Sequence, residues 1–252
     1  MIVSLGWPLL LALVLLVVLA AASSRLAGLG LAKESVVAAL RAALQLAVVS
    51  LVIVFCMRHL LAALGFCLLM FAVAVWTTTR RTGVRRAWPW TALAMACGVL
   101  PVLLVVFGTG ASPFTAPALV PVAGIIIGNM MSAHTLFGRR QFAALRDDIG
   151  SYEAALALGM VRRQAVELVT AETAQEALVP NLDQTRTVGL VTLPGAFVGV
   201  LLGGGSALQA GAAQLLVLVG IMAGQNLTVA VANQLMRRGR LLPPDLAERL
   251  HP

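Results

Sequence analysis

Long uninterrupted apolar runs dominate this chain, and polar residues are gathered into the short intervals between them. Seven stretches, near residues 5–24, 36–57, 60–79, 88–108, 118–137, 187–204 and 210–235, are long enough to cross roughly 30 Å of hydrocarbon as helices. A backbone in lipid must satisfy its own N–H and C=O groups, so each run is expected to be helical. The pattern therefore predicts an all-α, polytopic membrane protein with about seven transmembrane helices, forming a single transmembrane domain over residues 1–252. The one substantial polar interval, 138–186, is rich in good helix formers. It predicts a helical extension of the fifth span, a short helix over 152–158 and a longer one over 161–179. Gly150-Ser151 and Gly159 are the expected interruptions, and Pro180-Asn181 the expected stop.

Composition agrees with that picture. Of 252 residues, 60% are apolar and 11% charged, far too little polar surface for a water-soluble domain. A net charge of +8 raises nucleic acid as a partner, but the placement of the charges excludes it. Arg80, Arg81, Arg85 and Arg86 lie between the third and fourth spans, Arg139 to Arg186 between the fifth and sixth, and Arg237, Arg238 and Arg240 after the seventh. With the N-terminus outside and the C-terminus in the cytoplasm, only Arg58 of the 18 Lys and Arg residues falls outside, the distribution that the positive-inside rule demands. The expected location is the inner (plasma) membrane. The first run ends in Leu19-Ala20-Ala21-Ala22-Ser23, but no positive charge precedes it, so it is expected to remain as an uncleaved span. Cys56, Cys67 and Cys97 have no CxxC spacing and fit small apolar packing residues.

Within the polar interval stands Glu153-Ala154-Ala155-Leu156-Ala157-Leu158-Gly159. This fits the EAA-x-x-x-G signature that resembles the cytoplasmic coupling loop of ABC transporter permeases, although the Ile-x-Leu-Pro tail of the importer form is missing. A short helix of small residues can lie in a groove of an ATPase, and the glycine lets the chain turn back. Glu153, Ala154, Ala155 and Gly159 are the expected coupling residues. Two further stretches, Val120 to Asn129 (VPVAGIIIGN) and Pro180 to Gly195 (PNLDQTRTVGLVTLPG), resemble the FetB-type family of iron-export ABC permeases, itself similar to plant aluminium-tolerance half-transporters. The resemblance covers roughly residues 30–238. It implies two copies of the permease joined to two copies of a soluble ABC ATPase, with iron or another metal ion as the exported substrate. The chain carries no phosphate-binding loop of its own, since its single lysine, Lys33, lacks that context. No catalytic residue and no cofactor are assigned to it; ATP and magnesium belong on the partner, and only the assembled complex would hydrolyse ATP.

Inside the membrane, Pro121, Gly124, Gly128 and Asn129 mark the fifth span, and Asp183, Thr192, Pro194 and Gly195 mark the entry to and the middle of the sixth. Glycines four apart favour close helix packing, whereas a mid-span proline frees carbonyls and can open the backbone along a translocation path or hinge. Metal ligands are scarcer. No carboxylate lies inside any span; His134, Met130 and Met131 are the candidates, with Met95 and Cys97 as further soft donors. Two other function classes compete: a secondary transporter or channel that needs no ATPase, and an ABC permease for a lipid, sugar or sugar-nucleotide. The near absence of ionisable residues within the spans weighs against proton coupling.

Overall fold

A computed structural model describes residues 6–250; Leu5, at the edge of the first expected span, lies outside the described residues. Among the described residues the secondary structure is helical apart from one isolated β-bridge, between Val188 and Thr192. Among the described residues, six helices are long and apolar enough to cross a membrane.

The chain forms two compact units, Met1–His59 and Leu60–Pro252. The first is a helical hairpin of α1 (Trp7–Leu26) and α2 (Ala32–Arg58). Pro8 sits in the first turn of α1, where its missing N–H costs nothing. Glu34 opens α2 and Arg58 closes it, each at the helix end whose partial charge it complements. Between the helices the Leu31 N–H donates to Ser24 Oγ at 3.1 Å, tying down the turn.

The second unit is built on α3 (Leu60–Thr82), α4 (Trp88–Gly108), α5 (Ala116–Asp147) and α10 (Ala207–Arg237). α10 packs most extensively against α4 and α5, and α5 against α3. Small residues set these distances. A Cβ on Gly98 would overlap the Thr228 hydroxyl and lie 2.5 Å from the Gly224 carbonyl oxygen, and one on Gly224 would lie 3.0 Å from the Gly98 carbonyl oxygen. α4 and α10 therefore cross with their backbones nearly touching. Met130 of α5 fills the remaining notch, its Sδ 3.0 Å from where either Cβ would stand, and is itself fully buried.

At 32 residues α5 is about 48 Å long, far more than the hydrocarbon thickness, so its basic end projects from the membrane. Around that end a second core forms from Phe137, Phe142, Leu145, Tyr152, Leu241 and Leu246, among others. It is made by α6 (Ile149–Ala157), α7 (Arg162–Thr170) and the short C-terminal α11 (Pro244–Arg249) folding back on α5 and α10.

The structure corrects three expectations. The stretch 187–204 is not a continuous spanning helix. α8 (Val179–Thr187) ends at its start, residues 188–194 make a compact turn, and α9 (Gly195–Leu202) is only eight residues long. Pro194, with no N–H to donate, stands at the N-cap of α9 and cannot continue α8. The helix expected over 161–179 ends at Thr170, where the carbonyl left without a helical partner accepts from Gln141 Nε2 of α5 at 3.2 Å and from the Thr173 N–H and hydroxyl at 3.3 and 3.2 Å. Finally, Pro180 lies in the first turn of α8 and starts that helix; it is not a stop, since the first turn is where proline is tolerated.

Candidate functional site

The residues singled out from the sequence fall into three places. The first is the α6–α7 hairpin at the basic end. Asp148 caps α6, its carboxylate accepting from the Ser151 N–H at 3.4 Å. Tyr152 and Ala155 are 1% and 2% exposed and root α6 in the basic-end core. The opposite face, with Glu153, Ala154 and Ala157, is open to solvent. α6 then ends in a Schellman turn: the Gly159 N–H donates to Leu156 O at 2.9 Å and the Met160 N–H to Ala155 O at 3.0 Å. Gly159 has φ +87°, a conformation that a side chain would strain, which is why glycine stands there. The turn pushes an apolar tip outward, with Leu158 82% and Val161 62% exposed.

The hairpin is fixed by charge as well as by packing. Glu167 of α7 pairs with Arg237 of α10 at 2.9 Å, and Glu176 pairs with Arg140 of α5 at 3.0 Å. Arg146 grips Asp245 of α11 through two hydrogen bonds, at 2.7 and 3.1 Å. That grip holds the Asp245 carboxyl below the usual carboxylate range. Burial pushes the Tyr152 phenol up, against the opposing field of Arg162. Sequence reasoning missed all of these partners except the hairpin itself. The signal for α11 was present in Leu241-Leu242 and Leu246, an apolar pattern inside an otherwise polar tail.

The second place is the middle of α5. Pro121 lies within the helix and faces outward. A Cβ on Gly124 would make ordinary contact with Met70 of α3, whereas one on Gly128 would meet nothing. Asn129 is half-buried; its Nδ2 donates to the Ile125 carbonyl at 2.9 Å, and its own carbonyl accepts from Gln225 Nε2 at 3.4 Å. The closest backbone approach is thus at Gly98 and Gly224, not at Gly124 or Gly128 of α5; the Gly220-x-x-x-Gly224 spacing was the sequence signal for Gly224, and none marked Gly98. Of the candidate ligands, Met130 and His134 are buried on the inward face and Met131 is half-buried. Among the described residues, both ring nitrogens of His134 lack hydrogen-bond partners, and so do the buried hydroxyls of Thr91 and Thr228. Met95 Sδ accepts from the Thr78 hydroxyl at 3.8 Å. Among the described residues, no group of three or more His, Cys, Asp or Glu side chains could hold a metal ion.

The third place is the broken span. Asp183 pairs with Arg186 at 3.4 Å on the exposed side of α8. Thr192, Pro194 and Gly195 form the end of the turn and the start of α9. A pocket of about 240 Å³ lies between this segment and α10, lined by Val188, Leu193, Pro194, Phe197 and Gln214. Gln214 is 6% exposed, and its Oε1 has no hydrogen-bond partner. The hydrogen bonds of Asn129 run to Ile125 and Gln225 and not to this group, so the second and third places are separate features of the fold.

Comparison with known proteins matches residues 7–240 to the model of the uncharacterised protein family UPF0014. The UPF0014 membrane protein STAR2 of Oryza sativa is 33% identical over 226 residues, covering 87% of this chain and 78% of the relative. Protein ALUMINUM SENSITIVE 3 of Arabidopsis thaliana is 32% identical, covering 82% and 77%. The probable iron export permease protein FetB of Escherichia coli is 28% identical, covering 89% and 88%. No solved structure matches the chain. With a family match that runs through all six long helices and both halves of the broken span, the chain belongs to the UPF0014 family of membrane proteins.

Proposed function

We propose that this chain is the membrane-spanning subunit of an ABC transporter in the inner (plasma) membrane, paired with a second copy of itself and with a soluble ATPase that binds ATP and magnesium. The observation that carries the reading is the α6–α7 hairpin. It is rooted by Tyr152 and Ala155 and ends in a rigid glycine turn that holds Leu158 and Val161 out into water. An apolar tip on a charged loop is a surface in need of a partner, and the small Ala154 and Ala157 beside it permit close approach to one. The basic end would then face the cytoplasm, with the N-terminus outside. The broken span supplies the seventh crossing, and its turn, with Thr192, Pro194 and Gly195, borders the translocation path. The exported substrate is a metal ion, in keeping with the names of the E. coli and Arabidopsis relatives.

The test is co-purification from native membranes with ATPase activity measured on the accompanying soluble subunit. Leu158→Glu and Ala154→Glu alter exposed positions and should leave the chain inserted while the ATPase is lost. A chain that purifies alone and moves solute into liposomes without ATP would replace this reading with that of a secondary transporter or channel.

A further inference from the structure

The packing of α3 against α4 is the loosest of the main helix pairs in the second unit, and the two helices leave a furrow between them. Its basic-end cavity, about 330 Å³, is lined by buried Val75 and half-buried Phe71 and Ala92, with exposed Trp76, Trp88 and Arg85 at its rim. A second cavity, also about 330 Å³, shares Phe71 with the first and runs to Leu64 and Leu103, backed by Leu119, Ala123 and Ile127 of α5. From Thr79 to Leu64 the furrow follows α3 for about 22 Å at 1.5 Å per residue. That is longer than the roughly 15 Å that one leaflet contributes to the hydrocarbon core.

The ends of the furrow differ in chemistry. Trp76 and Trp88 are 63% and 59% exposed, and tryptophan collects at the boundary between headgroups and acyl chains. Arg85 stands just beyond them, beside Arg80, Arg81 and Arg86. None of these four arginines has an ion-pair partner among the described residues, and the sequence has no Asp or Glu between Glu34 and Asp147. The Thr79 hydroxyl donates to the Trp76 carbonyl at 2.8 Å, so its proton is engaged and is not offered to the furrow. An apolar slot of acyl-chain length, ending at an uncompensated guanidinium in the headgroup layer, matches one ligand class in both shape and charge.

We propose that the α3–α4 furrow is a binding site for an anionic glycerophospholipid of the leaflet that meets this loop, with one acyl chain along Phe71, Ala72 and Ala92 and the phosphate on Arg85. A zwitterionic lipid would fill the slot but gain little from the arginine. The site does not depend on the transport reading, because it uses no residue of the hairpin or of the broken span.

The full-length chain in detergent, titrated with dioleoyl phosphatidylglycerol or dioleoyl phosphatidylcholine and followed by native mass spectrometry, tests this. The wild type should retain the anionic lipid in preference. Arg85→Ala should weaken phosphatidylglycerol binding about five-fold, the scale of one basic residue at an anionic surface. Arg86→Ala, in the same loop but outside the furrow, should keep the wild-type preference. Ala92→Phe, which fills the basic-end cavity and leaves Arg85 in place, should weaken both lipids. A readout without mutation is quenching of tryptophan by brominated phosphatidylglycerol, which should exceed that by brominated phosphatidylcholine. Equal retention or equal quenching by the two lipids overturns the proposal. So does an Arg86→Ala loss as large as that of Arg85→Ala, or competition by glycerol 3-phosphate as effective as that by the lipid.

Discussion

The C-terminal segment lies beyond residue 240, where the family match ends, yet it is among the best-buried parts of the basic end. Leu241 and Leu246 are 0% exposed and Leu250 is 1% exposed. They share one core with Tyr152 and Ala155, which root the hairpin. Leu246→Ala would remove a fully buried side chain from a core that faces water, where such truncations cost about 2–5 kcal/mol. The tail can escape most of that loss only by undocking, so the effect should appear as local opening of α11 and not as unfolding of the bundle. Hydrogen exchange reads this directly at the Ala247 and Leu250 amides, which donate to Pro243 O and Leu246 O at 2.9 Å each. A loss of about 2 kcal/mol corresponds to about 30-fold faster exchange at those amides. Amides of α10 around Gly224 should be unchanged, and exposed Glu248→Ala should leave α11 as it was. Acceleration below about three-fold, or equal acceleration along α10, would refute the view of the tail as a separately docked strut beneath the hairpin.

Two further outcomes follow from packing and charge. Gly98→Ala must push apart α4 and α10, and overpacking of this kind costs about 1–3 kcal/mol. It should lower the melting temperature in detergent, whereas Gly128→Ala, which meets nothing within 4 Å, should not; equal shifts would count against the crossing described here. The Asp245 carboxyl is held below its ordinary value, first by its hydrogen bond to Arg146. Its contribution is therefore fully present above the unfolded value of roughly 3.9 and is lost as pH falls through the lower folded value. With side chains 43% and 49% exposed the pair is worth at most about 1 kcal/mol. Proteolysis of the tail should rise modestly as the pH falls below about 4, and Arg146→Ala should shrink that dependence to the share owed to the backbone N–H groups of Asp245 and Leu246; an undiminished dependence in the variant would assign it to another group.

How far the fold was legible depended on where its determinants lie. The long helices were written in apolar runs, because lipid allows little else. The projection of α5 was legible too, since helix formers continue without Gly or Pro from Arg139 to Asp147. The end of α7 was not legible. The Thr170 carbonyl is shared between Thr173 and Gln141, the second 29 residues away, and no Gly or Pro marks the spot. The broken span was masked by averaging: residues 187–204 are apolar enough to span, while Gly189 and Pro194 set the backbone. For the candidate site, the Glu153–Gly159 motif marked the end of α6 and the turn after it, where Gly159 has φ +87°. The salt bridges that hold the hairpin are contacts between distant segments, and no spacing in the sequence announces them.

The broken span leaves a backbone requirement open within the unit that holds it. In the turn, the N–H groups of Gly189, Leu190 and Val191 reach Thr192 O and Thr187 O, but that of Leu193 has no backbone partner among the described residues. The turn lies beside Gly211 to Leu218 of α10, a membrane-spanning helix, and Leu190 and Val191 are 90% and 76% exposed. Open backbone at that depth is tolerated only against protein or a water-filled cavity, because lipid offers it no hydrogen bond. Under the proposed pairing of two copies, a turn that borders a path between them lies close to its counterpart in the other copy. Leu190→Cys, in a chain whose Cys56, Cys67 and Cys97 are replaced by serine, should then form a disulfide between copies on mild oxidation in native membranes. A disulfide needs Cα atoms within about 7 Å, a distance that random encounters in a fluid bilayer do not sustain. Leu104→Cys on α4, 72% exposed but flanked by regular helix that lipid can cover, should not cross-link. If Leu190→Cys does not cross-link, or if Leu104→Cys does so equally, the turn does not lie at a symmetric interface, and other protein or water satisfies its backbone.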